Sequence, residues 1–393
     1  MAERDLIYLD NAATTAVDPR VLEAMLPYFT EQFGNPSSVH RTGIQARRAL
    51  DISRRSVAEG LGASPEEIIF TSCGTESDNL ALRGVAWACE QRGRHLITTP
   101  IEHHAVGNTL AQLQSRFGFQ VTEVPVDHDG LVDPDDVGRA LRDDTTLVSV
   151  MLANNEVGTI EPLEEISRIV HARGALLHTD AVQAVGHVPI DVDALGVDLL
   201  SLSGHKLHAP KGVGALYVRR GTPLLAMQTG GGQEMHLRSG TENLPYIVGL
   251  ARAIELATQE RQVLKRVQQL RDRLVEGVLK EIPDVELTGH PTRRLPNNAS
   301  FVLMGIDGES LVMQLTTSGV AASTGSACSA GSGGASHVLT AMGYQDPWVR
   351  GSLRLSLSRY TTEDEVDRAI AILSTGVKRL RSLSPLYAQR GAA

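Results

Sequence analysis

The chain has 393 residues, of which 42% are hydrophobic and 21% are charged, and its formal net charge at pH 7 is −9. This composition is typical of a globular protein, and the acidic excess argues against non-specific nucleic-acid binding. No stretch approaches the roughly 18 consecutive apolar residues of a membrane span, and three cysteines are too few for a disulfide scaffold, so we expect a cytoplasmic protein that does not bind membranes.

Short apolar runs alternate with helical patterns through the first two-thirds of the chain. The strand-like runs are 68–70, 95–98, 147–152, 175–180 and 198–203, and the clearest helical patterns between them are 43–59, 78–88 and 162–173. Buried strands that alternate with helices predict an α/β fold with a mostly parallel sheet covered on both faces. In such a sheet the functional site lies beyond the carboxyl ends of the strands.

The pattern changes near residue 247. Apolar residues recur at steps of three or four from 247 to 279, which predicts one long amphipathic helix or two abutting helices. Strand-like runs at 298–304 and 352–357 and helical patterns at 308–318 and 362–380 follow. We interpret the long helical segment as the connection between a large domain and a smaller α/β domain.

Lys206 directly follows the run 198–203 and is surrounded by small residues. Burial lowers the pKa of a lysine, and a neutral amine can form a Schiff base; a surface lysine in a salt bridge is the alternative. Asp180 and Gln183 lie at the end of the preceding run. A carboxylate there suits the protonated ring nitrogen of pyridoxal phosphate, and a helix N-cap is the alternative for Asp180.

The sequence Ser72-Cys73-Gly74-Thr75 joins the first of these runs to a helical pattern. Gly74 permits close approach of the backbone, and Thr75 offers a hydroxyl and an amide at a helix N-terminus, which suits a phosphate group. Ser203 and His205 can add donors from the other side. A plain strand-to-helix turn is the alternative.

Three further polar side chains are expected at the same crevice. His103 follows a strand and could stack on a cofactor ring and move protons; a metal ligand is disfavoured because no second cluster with zinc spacing is present. Arg354 alternates with apolar residues in the run 352–357. A buried arginine must be paired or must hold an anion such as a substrate carboxylate. Asn155 ends a strand nearby.

Cys328 lies in a Ser-, Gly- and Ala-rich segment, 322–336. With a pKa near 8.5, about 3% of such a thiol is thiolate at pH 7, and a mobile arm suits a thiol that must enter and leave a site. An incidental cysteine in a linker is the alternative. Cys89 is predicted to be a helix core residue, and Cys73 a small buried residue beside the phosphate turn.

Together these segments resemble the cysteine desulfurases of the NifS/IscS type, within the class V aminotransferase superfamily of fold type I pyridoxal-phosphate enzymes. The resemblance covers nearly the whole chain, because ten segments occur in the order typical of the family. These segments are Tyr8–Thr15, Gly34–Ser38 with His40, Thr75–Asn79, Glu102-His103, Asn154–Gly158, Asp180 with Gln183, Ser203–Lys206, Arg238–Asn243, Gly325–Cys328 and Ser352–Ser356. Cys73 and Gly74 depart from the family, which usually has Gly and Ala there.

The resemblance implies a fold type I architecture and a homodimer. Residues 16–259 would form the large domain, with a mostly parallel seven-stranded sheet between helices. Residues 1–15 and 260–393 would form the smaller α/β domain, which carries the mobile cysteine loop at 322–336.

The resemblance also implies the role of each site residue. Lys206 would bind pyridoxal phosphate covalently, with Asp180 on the ring nitrogen, Gln183 on the phenolic oxygen and His103 stacked on the ring as acid and base. The remaining residues would hold the phosphate (Gly74, Thr75, Ser203, His205, and Thr241 from the partner subunit) or the substrate carboxylate (Asn155, Arg354). Cys328 would be the nucleophile that attacks sulfur.

The activity implied is conversion of L-cysteine to L-alanine with transfer of sulfur to Cys328 as a persulfide. An iron–sulfur scaffold protein or another acceptor, such as a tRNA-thiolation protein, would then take the sulfur, without direct contact with nucleic acid. No resident metal is expected, although Cys328 is also considered as a transient iron–sulfur ligand. A selenocysteine lyase or aminotransferase on the same fold and a non-catalytic sulfur-relay partner remain as alternatives.

Overall fold

The centre of the molecule is a seven-stranded sheet, in a computed structural model that describes residues 6–325, 335–384 and 387. Its strands, in chain order, are β2 (Ile68–Thr71), β3 (His95–Thr98), β4 (Gln120–Glu123), β5 (Thr145–Ser149), β6 (Leu176–Asp180), β7 (Leu199–Ser203) and β8 (Gly214–Val218). They lie in the order β2-β8-β7-β6-β5-β3-β4, and all neighbours are parallel except β8, which is antiparallel to β2 and β7. A mostly parallel sheet is therefore present, as predicted.

Helices cover both faces of this sheet. In the part of the chain that the structure describes they are α1 (Pro19–Met25), α2 (Pro27–Thr30), α3 (Arg41–Leu61), α4 (Gly74–Ala88), α5 (His104–Phe117), α6 (Pro134–Ala140), α7 (Leu163–Ala172), α8 (Val192–Leu195), α9 (Leu244–Gln259), α10 (Gln262–Glu281), α11 (Gly308–Thr317), α12 (His337–Ala341) and α13 (Glu363–Leu383). None of these described helices combines the length and apolar character needed to cross a membrane.

The packing of strand β2 explains why its first three residues are all apolar. Ile68 and Phe70 pack into one hydrophobic cluster with α3, α7 and α9, whereas Ile69 packs into a second cluster with α4 and α5. Successive side chains of a strand point to opposite faces, so a strand covered on both sides carries apolar residues at successive positions.

The strand run predicted at 147–152 ends earlier than expected, because β5 finishes at Ser149. The chain nevertheless continues beside β6, since the Val150 amide donates to the His178 carbonyl at 3.1 Å and the Leu152 amide to the Asp180 carbonyl at 2.9 Å. These hydrogen bonds hold residues 150–152 alongside β6 as far as the carboxyl end of that strand.

The helical pattern at 247–279 corresponds to two helices. Of the two predicted arrangements, one long helix or two abutting helices, the structure shows the abutting pair. α9 ends at Gln259 and α10 begins at Gln262. Glu260, between them, pairs with Arg20 at 2.6 Å and also contacts Arg359. The junction is therefore tied to both the N-terminal and the C-terminal parts of the chain.

A third hydrophobic cluster lies outside the large sheet and joins the two ends of the chain. It combines α10, α11 and α13 with β1 (Ile7–Tyr8), β9 (Val285–Leu287), β10 (Asn298–Leu303), β11 (Val320–Ala321) and β12 (Ser352–Ser356). Strands β12, β10 and β9 form an antiparallel sheet, and β1 pairs in parallel with β11. The domain boundaries at 15/16 and 259/260 stay a prediction.

Candidate active site

A cavity of about 300 Å³ lies at the carboxyl ends of β6 and β7 and beside the amino end of α4. The predicted site residues that line it are Gly74, Thr75, His103, Asn155, Asp180, Gln183, Ser203, His205, Lys206 and Arg354. Thr241 is exposed and does not line it, and Cys328 lies outside the described residues. The fold thus brings ten residues from distant parts of the sequence to one place.

The turn between β2 and α4 forms one wall of the cavity. Cys73 is extended and α4 begins at Gly74, so the first amide groups of the helix, which lack helical partners, lie beside the cavity. The Glu76 carboxylate accepts a hydrogen bond from the Ser72 amide at 2.7 Å and pairs with Arg238 at 2.7 Å. These contacts fix the turn, and a fixed helix N-terminus suits a phosphate group.

We expect Gly74→Ala to weaken pyridoxal phosphate binding by about tenfold or more, measured by spectroscopic titration of cofactor-free enzyme. A Cβ at residue 74 would lie 2.6 Å from Val182 Cγ2 and 3.4 Å from Ser203 Cβ, so the start of α4 would have to shift. Gly107→Ala on α5 is the matched control, because its added Cβ meets no atom within 4 Å. Equal weakening in both variants would contradict this explanation.

Ser203, at the end of β7, lies opposite the turn. Its hydroxyl is buried and has no hydrogen-bond partner among the residues described. His205 Nδ1 lies 3.2 Å from Thr14 Oγ1, and burial lowers the pKa of His205 to about 4, so its ring is neutral at pH 7. An unpartnered buried hydroxyl beside a helix N-terminus and the Thr75 hydroxyl fits the phosphate of pyridoxal phosphate.

Asp180 is buried at the end of β6, and its Oδ1 accepts a hydrogen bond from the Val182 amide at 2.8 Å. Burial raises the pKa of Asp180, and positive charge on His103, when its ring is protonated, or on Lys206 lowers it. A buried carboxylate is stabilised by an opposite charge close by. Asp180 therefore fits the protonated ring nitrogen of the same cofactor.

Lys206 reaches the cavity from a short 3-10 turn that follows β7. Its Nζ donates to the carbonyl oxygens of Ala12 at 2.5 Å and Ala13 at 2.9 Å. The Ala12 carbonyl also accepts from Gln183 Nε2 at 2.9 Å, and the Ala12 amide donates to Ser356 Oγ at 2.8 Å. Backbone oxygens of the N-terminal segment therefore hold the amine inside the cavity.

His103 is the N-cap residue of α5, and its Nδ1 accepts a hydrogen bond from the Ala105 amide at 3.1 Å. This bond assigns the proton of the neutral ring to Nε2. Burial lowers the pKa of His103, so the ring is mostly neutral at pH 7. The side chain therefore presents one N–H donor at the cavity.

Arg354, on β12, is buried and bridges two parts of the site. Its Nη1 donates to the Asn155 carbonyl at 2.9 Å, and its Nη2 pairs with Asp10 at 2.9 Å. Its Nε is buried without a partner in the described part of the chain. The structural ion pair is thus present, and one donor is still available for a ligand oxygen.

Asp78, Met151 and Gly325 also line the cavity and are not among the predicted site residues. Asp78 lies four residues after Gly74 on α4, and residues four apart share a helix face, so this spacing was a usable signal. Met151 carries no such signal, because it belongs to an apolar run. Across the described ranges, no group of three or more His, Cys, Asp or Glu side chains could hold a metal ion.

Comparison with known proteins places the chain in a family. It matches the family model described as aminotransferase class-V over residues 7–369. A cysteine desulfurase IscS of Methanosarcina thermophila is 52% identical over 385 residues, which cover 98% of this chain and 95% of that protein. A cysteine desulfurase IscS of Dictyoglomus turgidum is 48% identical over 380 residues, which cover 96% of each.

Solved structures give the same assignment. A NifS-like protein matches with a TM-score of 0.90 at 43% identity, covering 95% of this chain and 100% of that chain. SspA, solved in complex with cysteine, matches with a TM-score of 0.79 at 36% identity, covering 90% and 99%. The family resemblance and the fold predicted from the sequence are thereby confirmed. The chain belongs to the class-V aminotransferases and, within them, to the cysteine desulfurases, which use pyridoxal phosphate.

Proposed function

We propose that this cavity converts L-cysteine to L-alanine and delivers the sulfur to Cys328 as a persulfide. The observation that carries the proposal is the meeting of the Lys206 amine, the Asp180 carboxyl group and the unpartnered Ser203 hydroxyl in one cavity. The relative SspA has been solved in complex with cysteine, which supports this amino acid as the substrate.

The cofactor is held by donors on two sides of the cavity. Gly74, Thr75, Ser203 and His205 would hold the phosphate, as the buried, unpartnered Ser203 hydroxyl beside the turn supports. When bound, pyridoxal phosphate supplies an electron sink for the pair released at the α-carbon of the substrate. Asp180 keeps a proton on the ring nitrogen through its negative charge.

Other side chains orient the ring and the substrate. Gln183 would give its amide to the phenolic oxygen of the cofactor, and His103 would pack on the ring and offer its Nε2 proton. Arg354 binds the substrate carboxylate through its unused Nε, together with Asn155. Both residues lie on the same side of the cavity, because Arg354 Nη1 already donates to the Asn155 carbonyl.

Lys206 Nζ removes the α-proton of the substrate. The carbonyls of Ala12 and Ala13, which accept from Nζ at 2.5 and 2.9 Å, restrict where the amine can lie. Because proton transfer requires close approach of the base, these two carbonyls help to set its position between successive reactions.

Sulfur transfer is a displacement at sulfur by the Cys328 thiolate. An S–S bond forms, the C–S bond of the substrate breaks, and the carbon keeps the electron pair and takes up a proton. The products are L-alanine and a Cys328 persulfide, so no external oxidant or reductant is consumed. A thiol-containing acceptor then attacks the persulfide and carries the sulfur away.

The assembled form is a homodimer in which Thr241 contacts the phosphate in the partner subunit. Thr241 is exposed and lies outside the cavity of its own chain, which supports a role toward a second copy. The sulfur acceptor is an iron–sulfur scaffold protein or a tRNA-thiolation protein. The compartment is the cytoplasm, since three cysteines in 393 residues suit reducing conditions.

The test uses the purified holoenzyme with L-cysteine and a thiol reductant, and measures sulfide and alanine together. Equal amounts of both products are expected. L-selenocysteine and a 2-oxo acid are assayed in parallel with the same enzyme. Turnover of L-selenocysteine alone would favour the lyase, amino transfer to the 2-oxo acid without sulfide would favour an aminotransferase, and an enzyme without a visible cofactor band would favour a non-catalytic relay.

A further inference from the structure

Asp78 is a carboxyl group in the cavity wall that the proposed chemistry does not use. It lies on α4, one turn after Gly74, and only 1% of its surface is exposed. Its Oδ1 is buried and has no hydrogen-bond partner in the ranges that the structure describes. A buried polar atom without a partner is costly unless a ligand uses it or the group is uncharged.

His178 lies close to Asp78 but supplies no positive charge. His178 Nε2 lies 3.6 Å from Asp78 Oδ1, beyond hydrogen-bond distance. The ring is fully buried and contacts two hydroxyls instead, with Nδ1 2.9 Å from Ser149 Oγ and Nε2 3.1 Å from Ser201 Oγ. Burial lowers the pKa of His178 to about 3, so this imidazole is neutral at pH 7.

The titratable groups that act on Asp78 are acids. Asp180 faces it from the end of β6, Glu102 from the loop after β3, and Cys73 from the phosphate turn. Burial raises the pKa of Asp78 well above its ordinary value, and the negative charge of Asp180 adds to this effect, whereas a hydrogen bond from the Ser201 side chain opposes it. Two buried carboxyl groups that interact strongly share their protons and do not ionise together.

We propose that Asp78 is a positioning residue for Asp180: it is the uncharged member of this carboxyl pair and keeps the single negative charge of the pair on Asp180. The charge resides on Asp180 because the positive charge of Lys206 lowers the pKa of that residue. The protonated Asp78 also offers an O–H donor at the cavity wall, which a carboxylate cannot do. This inference rests on the proposed role of Asp180 toward the cofactor ring.

The variant Asp78→Asn keeps the size of the side chain and removes its titration. In the unfolded chain an aspartate ionises near pH 3.9, whereas the folded wild type keeps this proton to higher pH. At pH values between the unfolded-state pKa and the folded-state pKa of Asp78, the folded state binds more protons than the unfolded state. The stability of the wild type relative to the variant therefore falls as pH rises. We expect Asp78→Asn to raise Tm by about 3 °C more at pH 8 than at pH 5.

The measurement uses the full-length enzyme, both loaded with pyridoxal phosphate and stripped of it. Glu161→Gln is the matched control, because Glu161 is also buried, its Oε1 has no partner within the described residues, and burial raises its pKa to about 8. Glu161 does not line the cavity. A pH-dependent gain in Glu161→Gln together with a pH-independent loss in Asp78→Asn would overturn the proposal.

A second readout uses the visible absorption band of the bound cofactor. If Asp78 is uncharged, we expect the pH midpoint of this band in Asp78→Asn to stay within about 0.5 unit of the wild-type midpoint. If Asp78 is charged, removing its charge would lower the midpoint by more than about 1 unit. Should the Asn variant not fold, Asp78→Ser, which is also uncharged, takes its place. Absence of the band in the wild type would contradict the proposed function. The Tm measurement on the cofactor-free enzyme would still test the charge of Asp78.

Discussion

Replacing Lys206 by alanine is expected to abolish covalent attachment of pyridoxal phosphate and to lower kcat/KM for L-cysteine by about 10⁴-fold or more. In the proposed mechanism the amine of Lys206 both binds the cofactor and takes the α-proton, so one substitution would remove two functions. The Ala12 and Ala13 carbonyls that accept from Nζ are backbone groups and cannot replace either function.

The measurement is the mass of the chain after borohydride reduction of the holoenzyme, together with sulfide production. Lys211→Ala is the matched control, since Lys211 is an exposed lysine five residues further along the chain and does not line the cavity. We expect the control to carry the cofactor mass and to release sulfide at the wild-type rate. A reduced cofactor adduct on the Lys206→Ala chain would show that another amine binds the cofactor.

Replacing Cys328 by alanine is expected to lower sulfide release to background, a loss of about 10³-fold or more, while the visible cofactor band is retained. The surroundings of the other two cysteines, Cys73 and Cys89, show how well each could act as the nucleophile instead. Cys89 packs in the hydrophobic cluster beneath α4 and α5, and burial raises the pKa of its thiol, which disfavours the thiolate. The prediction that Cys89 is a core residue is thereby confirmed.

Cys73 is the competing thiol that the experiment must separate from Cys328. It was predicted to be buried, but it is only half-buried and lines the cavity, because the extended turn before α4 exposes it to the space beside Gly74. We expect Cys73→Ser to keep sulfide release and to show a mass increase of one sulfur atom after L-cysteine is added without reductant. Sulfide release that survives in Cys328→Ala and is lost in Cys73→Ser would reverse the assignment.

The strands that could be predicted from the sequence are those whose side chains are buried on both faces of the sheet. β6 and β7 each begin with two leucines and are buried along nearly their whole length for that reason. β4 was missed because it is an edge strand with the polar sequence Gln-Val-Thr-Glu and an exposed pattern. β8 was missed because it begins with Gly214, a weak strand former. The glycine is required there, since an added Cβ would lie 2.7 Å from the Leu202 carbonyl oxygen.

The candidate site was predictable where residue type and position at a strand end coincide. Asp180, Ser203 and Lys206 combine a reactive or hydrogen-bonding side chain with the carboxyl end of an apolar run. Ala12 and Ala13 contribute only carbonyl oxygens, and an alanine side chain gives no sign that its backbone will hold an amine about 190 residues away. The protonation of Asp78 depends on neighbours from three other elements, which no local pattern contains.

The contact between Ala12 and Ser356 has a consequence for the order of events during synthesis. These two residues are 344 positions apart, so at ribosomal rates the N-terminal segment waits roughly 20 to 70 seconds for the residue that anchors it. Until then the segment whose carbonyls hold the Lys206 amine has its contact with Gln183 but lacks its contact with Ser356. Capture of pyridoxal phosphate in its final geometry therefore follows translation of the last strand, and nascent chains that stop before Ser356 lack one wall of the cavity.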